Sequence, residues 1–199
     1  MRYQVRLTLL EPMLGTVPKD PEVYATHVAA KAAELSDEAL AEELETVEHV
    51  EEKGWTGFHQ ADGHPIIYDY VIKGFFKDAC GMLRRVDGSK SSKIRAYKKE
   101  IDGLVFVAPR QIQVFPNGGE LGVLERPLRA ATAQGERVTL ARSDTVPAGS
   151  TLVFTINVLG GSISEELLRE WLDYGENRGL GQWRNAGYGR FGYTLKKLD

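Results

Sequence analysis

Asn177-Arg178-Gly179-Leu180-Gly181-Gln182-Trp183-Arg184-Asn185-Ala186-Gly187-Tyr188-Gly189-Arg190-Phe191-Gly192 is the stretch on which the reading of this chain turns. Five glycines fall within the fourteen residues from 179 to 192. Where Cβ atoms are this sparse, backbone N–H groups approach a ligand closely, and successive N–H groups form nests that bind anions. Arg178, Arg184 and Arg190 add guanidinium forks that match phosphate. Trp183 and Tyr188 offer ring faces on which bases stack. The Gly-Lys-Ser/Thr ending of a Walker loop is absent. The segment also follows a helix and precedes a strand, the reverse of a dinucleotide-binding turn. The competing reading is a tight crossover whose aromatics plug the core.

Working outward, Ser162-Ile163-Ser164-Glu165 has the spacing of a capping box. The helix it opens carries Leu167, Leu168, Trp171 and Leu172 on one face, and Gly175 stops it. After the glycine segment, Phe191, Tyr193 and Leu195 alternate with polar residues as a closing strand. At the other end Tyr3, Val5, Leu7 and Leu9 alternate with Arg2, Gln4, Arg6 and Thr8, a half-buried strand. Asp20-Pro21 starts a helix that runs to Lys53, and residues 54–63 read as a loop. Ile72, Phe75, Phe76, Ala79 and Leu83 form a helical stripe over residues 70–85. A polar, basic connection covers 87–99. Strands are expected at 104–109, 111–115, 121–129, 137–142 and 151–159, with Gly/Pro turns between them. This order predicts an α+β fold with helices on one face of an antiparallel sheet. The βαββαβ ferredoxin-like (RRM-like) unit is the simplest template. One domain over 1–199 is expected, with an acidic helical insertion at about 20–53.

Composition excludes several classes. The 199 residues are 42% hydrophobic and 27% charged, ordinary for a globular protein and too apolar for a disordered one. The lone cysteine, Cys80, leaves no intrachain disulfide and suits a reducing compartment. No apolar run approaches the ~20 residues of a membrane span, and the N-terminus lacks a signal core. A cytoplasmic protein without a membrane partner is expected. The net charge of −3 hides a polarised arrangement. Residues 34–52 hold nine acids and no Lys or Arg, whereas 71–99 hold nine basic residues and two acids. Residues 177–198 hold five basic residues and no acid. If the two basic stretches meet in space they attract polyanions.

The glycine segment, set between an amphipathic helix and the last strand, resembles the glycine-rich signature of the RAMP superfamily, the ferredoxin-like RNA-binding proteins of CRISPR systems. Gly179-Leu180-Gly181 and Gly187-Tyr188-Gly189-Arg190-Phe191 carry the likeness. Ile72-Lys73-Gly74-Phe75-Phe76-Lys77 resembles the family's Leu-Lys-Gly-x-x-Arg at the first core helix. The backbone-subunit branch is the nearest. Tyr68-Asp69-Tyr70-Val71 stands where that branch usually has Gly-Ser-Ser, and Asn185-Ala186 where Arg, Lys or Ser is common.

The resemblance implies binding of single-stranded, guide-type RNA within a larger ribonucleoprotein or a self-association. Its RNA-binding residues here are Lys73, Gly74, Lys77, Arg178, Gly179, Gly181, Trp183, Arg184, Gly187, Tyr188, Gly189 and Arg190. Some members cleave RNA without a metal, by a histidine or by an aspartate between the first strand and the first core helix. His59, Asp62 and His64 occupy that interval, so a metal-independent endoribonuclease is the rival reading. His59 and His64 lack a further ligand cluster at metal-binding spacing; no metal or cofactor is expected. A third reading is a non-enzymatic interaction protein that docks on a ribonucleoprotein through its acidic helix.

Overall fold

The computed structural model describes residues 1–20, 22–23, 54–132 and 135–198. In chain order the strands are β1 (Arg2–Leu9), β2 (Met13–Leu14), β3 (Val17–Pro18), β4 (Trp55–Gly57), β5 (His59–Ala61) and β6 (His64–Tyr68). They continue as β7 (Val105–Ala108), β8 (Gln111–Phe115), β9 (Gly122–Thr132), β10 (Gly135–Val146), β11 (Thr151–Val158) and β12 (Phe191–Lys197). The helices are α1 (Asp69–Leu83), α2 (Tyr97–Leu104), α3 (Glu165–Asp173) and α4 (Gly175–Arg178).

The alternation in β1 is realised: Tyr3, Val5, Leu7 and Leu9 are buried, and Arg2, Gln4 and Arg6 are exposed. β1 lies between two antiparallel partners, with Val5 opposite Phe154 of β11 and Leu195 of β12. Beyond β11 come β7 and β8, two strands separated by Pro109 and Arg110, then β6 and β5. The sheet order is β12-β1-β11-β8-β6-β5, with β7 also on β11. The chain is α+β with antiparallel pairing throughout this sheet.

The predicted stripe of α1 is buried at Ile72, Phe75, Phe76 and Ala79, with Cys80 beside them. Phe75 meets the edge-strand residue Phe191 at 5.2 Å, and Phe76 meets Trp171 of α3 at 5.5 Å. These side chains join the inward residues of β1, β7, β8 and β11 in one core. Each large side chain so buried stabilises the fold by about 1.5–3 kcal/mol. α3 is capped two residues later than its sequence suggests. Ser164, not Ser162, accepts from the Leu167 N–H at 3.3 Å, while the Ser162 N–H donates to Glu100. Burial of Ile163 and Leu168, the positions of a hydrophobic staple, selects this start.

A second sheet has the order β2-β10-β4-β3, with β9 paired to β10 as a long hairpin. Its base is a buried ion pair between Lys19 and Asp144 at 2.8 Å, with side chains 8% and 6% exposed. The Trp55 indole N–H donates to Asp144 at 2.8 Å, and Lys19 sits 4.5 Å from the Trp55 ring centre.

Two expectations are corrected. Residues 54–63 are not a loop. They form β4 and β5 and the turn into β6, where Asp62 and Gly63 take φ values of 51° and 73°. That is the Asp-Gly signature of a two-residue hairpin. The basic connection ends in α2, whose Ile101 is buried. The acidic helix lies outside the described residues apart from its start. There Asp20 accepts from the N–H groups of Glu22 at 2.9 Å and Val23 at 3.3 Å, as an N-cap does.

The two ends of that segment are joined. β3 pairs with β4, and the Lys19 N–H donates to the Trp55 carbonyl at 3.0 Å. Replacing residues 24–53 by a short Gly-Ser linker is therefore expected to keep cooperative unfolding with little change in stability. Urea denaturation followed by circular dichroism checks this. Loss of cooperativity would show that the segment is part of the core.

Candidate nucleic-acid interface

The glycine segment is a backbone clasp. Leu180 N–H donates to the Gly189 carbonyl at 2.9 Å, so the two Gly-x-Gly stretches touch main chain to main chain. A Cβ on Gly179 would lie 2.4 Å from the Gly189 carbonyl carbon, and one on Gly189 would lie 1.9 Å from the Leu180 oxygen. Both glycines have positive φ, 72° and 71°. The clasp also grips the chain after β1. Gly189 N–H donates to Pro12 at 2.8 Å, Gln182 N–H to Leu14 at 3.3 Å, and Leu10 N–H to Arg190 at 2.7 Å. Gly181 fits against the Leu14 carbonyl, 2.5 Å from where its Cβ would be. These glycines therefore serve close packing of the protein on itself.

Between the two halves of the clasp, residues 183–188 form a lobe. Trp183 has φ 51°, a short 3-10 turn covers Arg184–Ala186, and Gly187 has space around it. Trp183 and Tyr188 meet edge to face at 6.4 Å. Arg126 of β9 covers both rings, 4.7 Å from Trp183 and 5.1 Å from Tyr188, and donates to the Tyr188 hydroxyl. Arg178 and Arg184 converge on one carboxylate of α1: both donate to Asp78 Oδ2, at 3.0 and 2.9 Å. Arg178 also donates to Asn185. Arg190 pairs with Glu11 at 2.9 Å. One carboxylate leaves one positive charge of the Arg178–Arg184 pair unbalanced. The three side chains are 23–30% exposed, so the attraction among them is modest, about 1 kcal/mol or less per pair.

The 71–99 and 177–198 segments thus touch at Asp78, an acid of α1, and not through their basic side chains. Lys73 and Lys77 do not join this cluster. At about 100° per residue, they lie on the other flank of α1, where both reach α2. Lys73 donates to the Asp102 carbonyl at 3.0 Å, and Lys77 pairs with the Asp102 carboxylate at 2.5 Å. Gly74 lies on the exposed crest between the flanks, with nothing near its missing Cβ. Arg126, Asp78 and Glu11 are missed by sequence reasoning. Arg126 carries no local signal, because only the hairpin pairing brings it to the lobe.

His59, Asp62 and His64 sit on the β5–β6 hairpin at the opposite sheet edge from β12. Five strand steps separate the edges, roughly 24 Å. His59 is 5% exposed, with its ring 4.8 Å from that of Tyr68. Burial holds its imidazole down to about 4, so it is neutral near pH 7. His64 is accessible, and its Nδ1 lies 3.0 Å from the Asp62 carbonyl oxygen. A carbonyl only accepts, so Nδ1 is the donor of this contact. Among the described residues no group of three or more His, Cys, Asp or Glu side chains is placed to hold a metal, and no helix is long and apolar enough to cross a membrane.

The fold has a counterpart among solved structures. The whole chain aligns with a chain from the cryo-EM structure of the type III-B Cmr-beta bound to cognate target RNA, at a TM-score of 0.56 and 13% identity. The two share a fold. The alignment takes in 100% of this chain and 61% of the other, so this chain spans about three fifths of that chain's length. A chain of a type IV-B CRISPR complex aligns at a TM-score of 0.46 and 14% identity, over 100% of this chain and 91% of that one. No family model matches the sequence, and no curated protein is significantly similar to it.

Two variants test the clasp. Gly189→Ala is expected to destabilise by at least about 2 kcal/mol, from strain and overlap with backbone. Gly187→Ala, strained but with no close neighbour, is expected to cost about 1 kcal/mol. Equal losses in chemical denaturation would remove the clasp as the cause.

The lowered value of His59 sets a pH dependence. Its folded form binds the proton less readily than the unfolded chain, whose imidazole has the ordinary value of 6.5. Stability is complete above pH 6.5 and falls as pH drops towards 4, by about 3 kcal/mol over that window. Urea midpoints between pH 7 and pH 4 read this out. His59→Phe is expected to flatten the dependence.

Proposed function

We propose that this chain is an RNA-binding subunit of a CRISPR-type ribonucleoprotein, a RAMP-like single domain of ferredoxin type. The strand order supports the fold assignment. Taken as β1, α1, β7 with β8, β11, α3 and β12, the core elements make a βαββαβ unit. Its fourth strand lies beside the first, then the third, then the second. The likeness to the RNA-bound Cmr-beta chain supports the setting.

The observation that carries the reading is the pair Arg178 and Arg184 on the single carboxylate of Asp78. Its Arg184 belongs to the lobe that carries the Trp183–Arg126–Tyr188 stack and that the glycine clasp anchors. A phosphate entering there meets two preorganised guanidiniums and cancels their surplus charge. Arg190, paired with Glu11, borders the cluster, and Trp183 and Tyr188 offer bases the ring surfaces that Arg126 leaves open. Lys73 and Lys77 add a second basic flank along α1, on which a strand leaving the lobe is drawn by charge rather than shape. In this role the chain holds guide-type RNA and contacts neighbouring subunits, without a chemical step of its own.

The test is anisotropy of a labelled single-stranded RNA of ~30 nucleotides at 50 and 200 mM salt. Three phosphate contacts at about 0.7 each weaken binding roughly 20-fold over that range. Arg184→Ala is expected to weaken all sequences alike and to lower the salt slope by about 0.7. Asp78→Asn removes the competing carboxylate and is expected to tighten binding. Absence of binding at low salt, or an unchanged slope in Arg184→Ala, overturns the proposal.

A further inference from the structure

The sheet face turned away from the helices carries a cavity that the glycine lobe does not use. It has a volume of about 710 Å³ and lies between the β5–β6 hairpin and the β8–β11 strands. Ile66, 1% exposed, forms its floor, and Val153 and Pro109 add apolar wall. Gln111, Gln113 and Phe115 enter from alternate positions of β8, so all three share one face. Among the described residues neither carboxamide has a side-chain hydrogen-bond partner. The Phe115 side chain is 45% exposed, and the edge of His64 braces its ring at 5.7 Å. Asp62 stands at one rim and Arg110 at another, its guanidinium 5.2 Å from the Tyr68 ring.

The ligand chemistry follows from this lining. A metal site needs several carboxylates or imidazoles, and an inorganic anion site needs several cations. A lipid site excludes bare carboxamides, whose burial without partners is unfavourable. The combination present is two carboxamides about 7 Å apart along a strand, one aromatic face, aliphatic walls and one group of each charge. It fits a flat ligand with apolar faces and a polar edge of mixed donors and acceptors. The same sheet face beyond the cavity carries positive charge. The outward residues of β1, β8, β11 and β12 include Arg2, Arg6 and Lys196 and no Asp or Glu.

We propose that this cavity seats the base of a single unpaired ribonucleotide. Phe115 stacks on the base, Gln111 and Gln113 bond its polar edge, and Asp62 accepts from a base amino group or the 2′-hydroxyl. The phosphate points towards Arg110. Single-stranded RNA is read in this way, through splayed bases stacked on aromatic rings and hydrogen-bonded at their edges. The cavity rests on the RNA-binding reading only for the origin of its nucleotide, and it lies far from the residues that carry that reading.

Free AMP, GMP, CMP and UMP are the probes, titrated by calorimetry and by saturation-transfer NMR. At least one is expected to bind saturably, and the affinity is expected to fall about tenfold in Phe115→Ala. Gln113→Leu, which keeps size and removes the amide, is expected to reduce the preference among the four bases. Thermal melts confirm that each variant folds. Absence of saturable binding by all four, or affinities and preferences unchanged in both variants, overturns the proposal. Monophosphate binding without binding of the ~30-nucleotide RNA keeps the cavity and overturns the subunit reading. RNA binding without any monophosphate binding does the reverse.

Discussion

The main-chain contact between Gly179-Leu180 and Gly189-Arg190 holds the rest of the arrangement in register. A Cβ at either glycine would fall well inside the van der Waals radius of the opposing backbone. Through this contact the end of α4, the entry to β12 and the chain between β1 and β2 are fixed to one another. Leu10 follows β1 of the large sheet, and Leu14 belongs to β2 of the small one. The clasp therefore couples both sheets, and Arg126 of the long hairpin closes over the lobe that the clasp projects. Glycine enrichment in this segment is explained first by packing. Any ligand role belongs to the side chains that the packing presents.

Electrostatics is organised in two ways. Lys19 and Asp144 form a buried, matched pair that also holds the Trp55 indole, and removal of one partner would strand the other charge. Arg178, Arg184 and Asp78 are partly solvated and unmatched, two cations to one anion. The first arrangement contributes to structure. The second leaves a surplus of positive charge at a partly exposed position. The net charge of −3 conceals both, because the acids of residues 34–52 are counted with the cations of the other segments.

The catalytic candidates lie at the β5 edge of the large sheet, opposite β12, the strand into which the glycine segment leads. Spacing in sequence suggested three equivalent residues, His59, Asp62 and His64. The hairpin gives them different surroundings: His59 shares a sheet face with His64 but is buried against Tyr68, the Asp62-Gly63 turn exposes Asp62, and His64 braces Phe115. The dipeptide Asp62-Gly63 carried the hairpin signal. The strands around it, three and five residues long, gave too little periodicity to be read.

By itself the sequence determined the strands and helices that have a strong period. β1, α1, α3, β11 and β12 follow from apolar spacing, because each buries one face in a common core. It also placed the glycine segment between a helix and the last strand. Tertiary structure alone decided what surrounds that segment. Asp78 stands 100 residues from Arg178, and Arg126 stands 62 from Tyr188. Contacts at such separations leave no local pattern, since they arise only once helix α1 and the β9–β10 hairpin dock on the core. The cavity beneath Gln113 and Phe115 was illegible for the same reason: its walls come from strands paired across the chain, and only their register puts those side chains on one face.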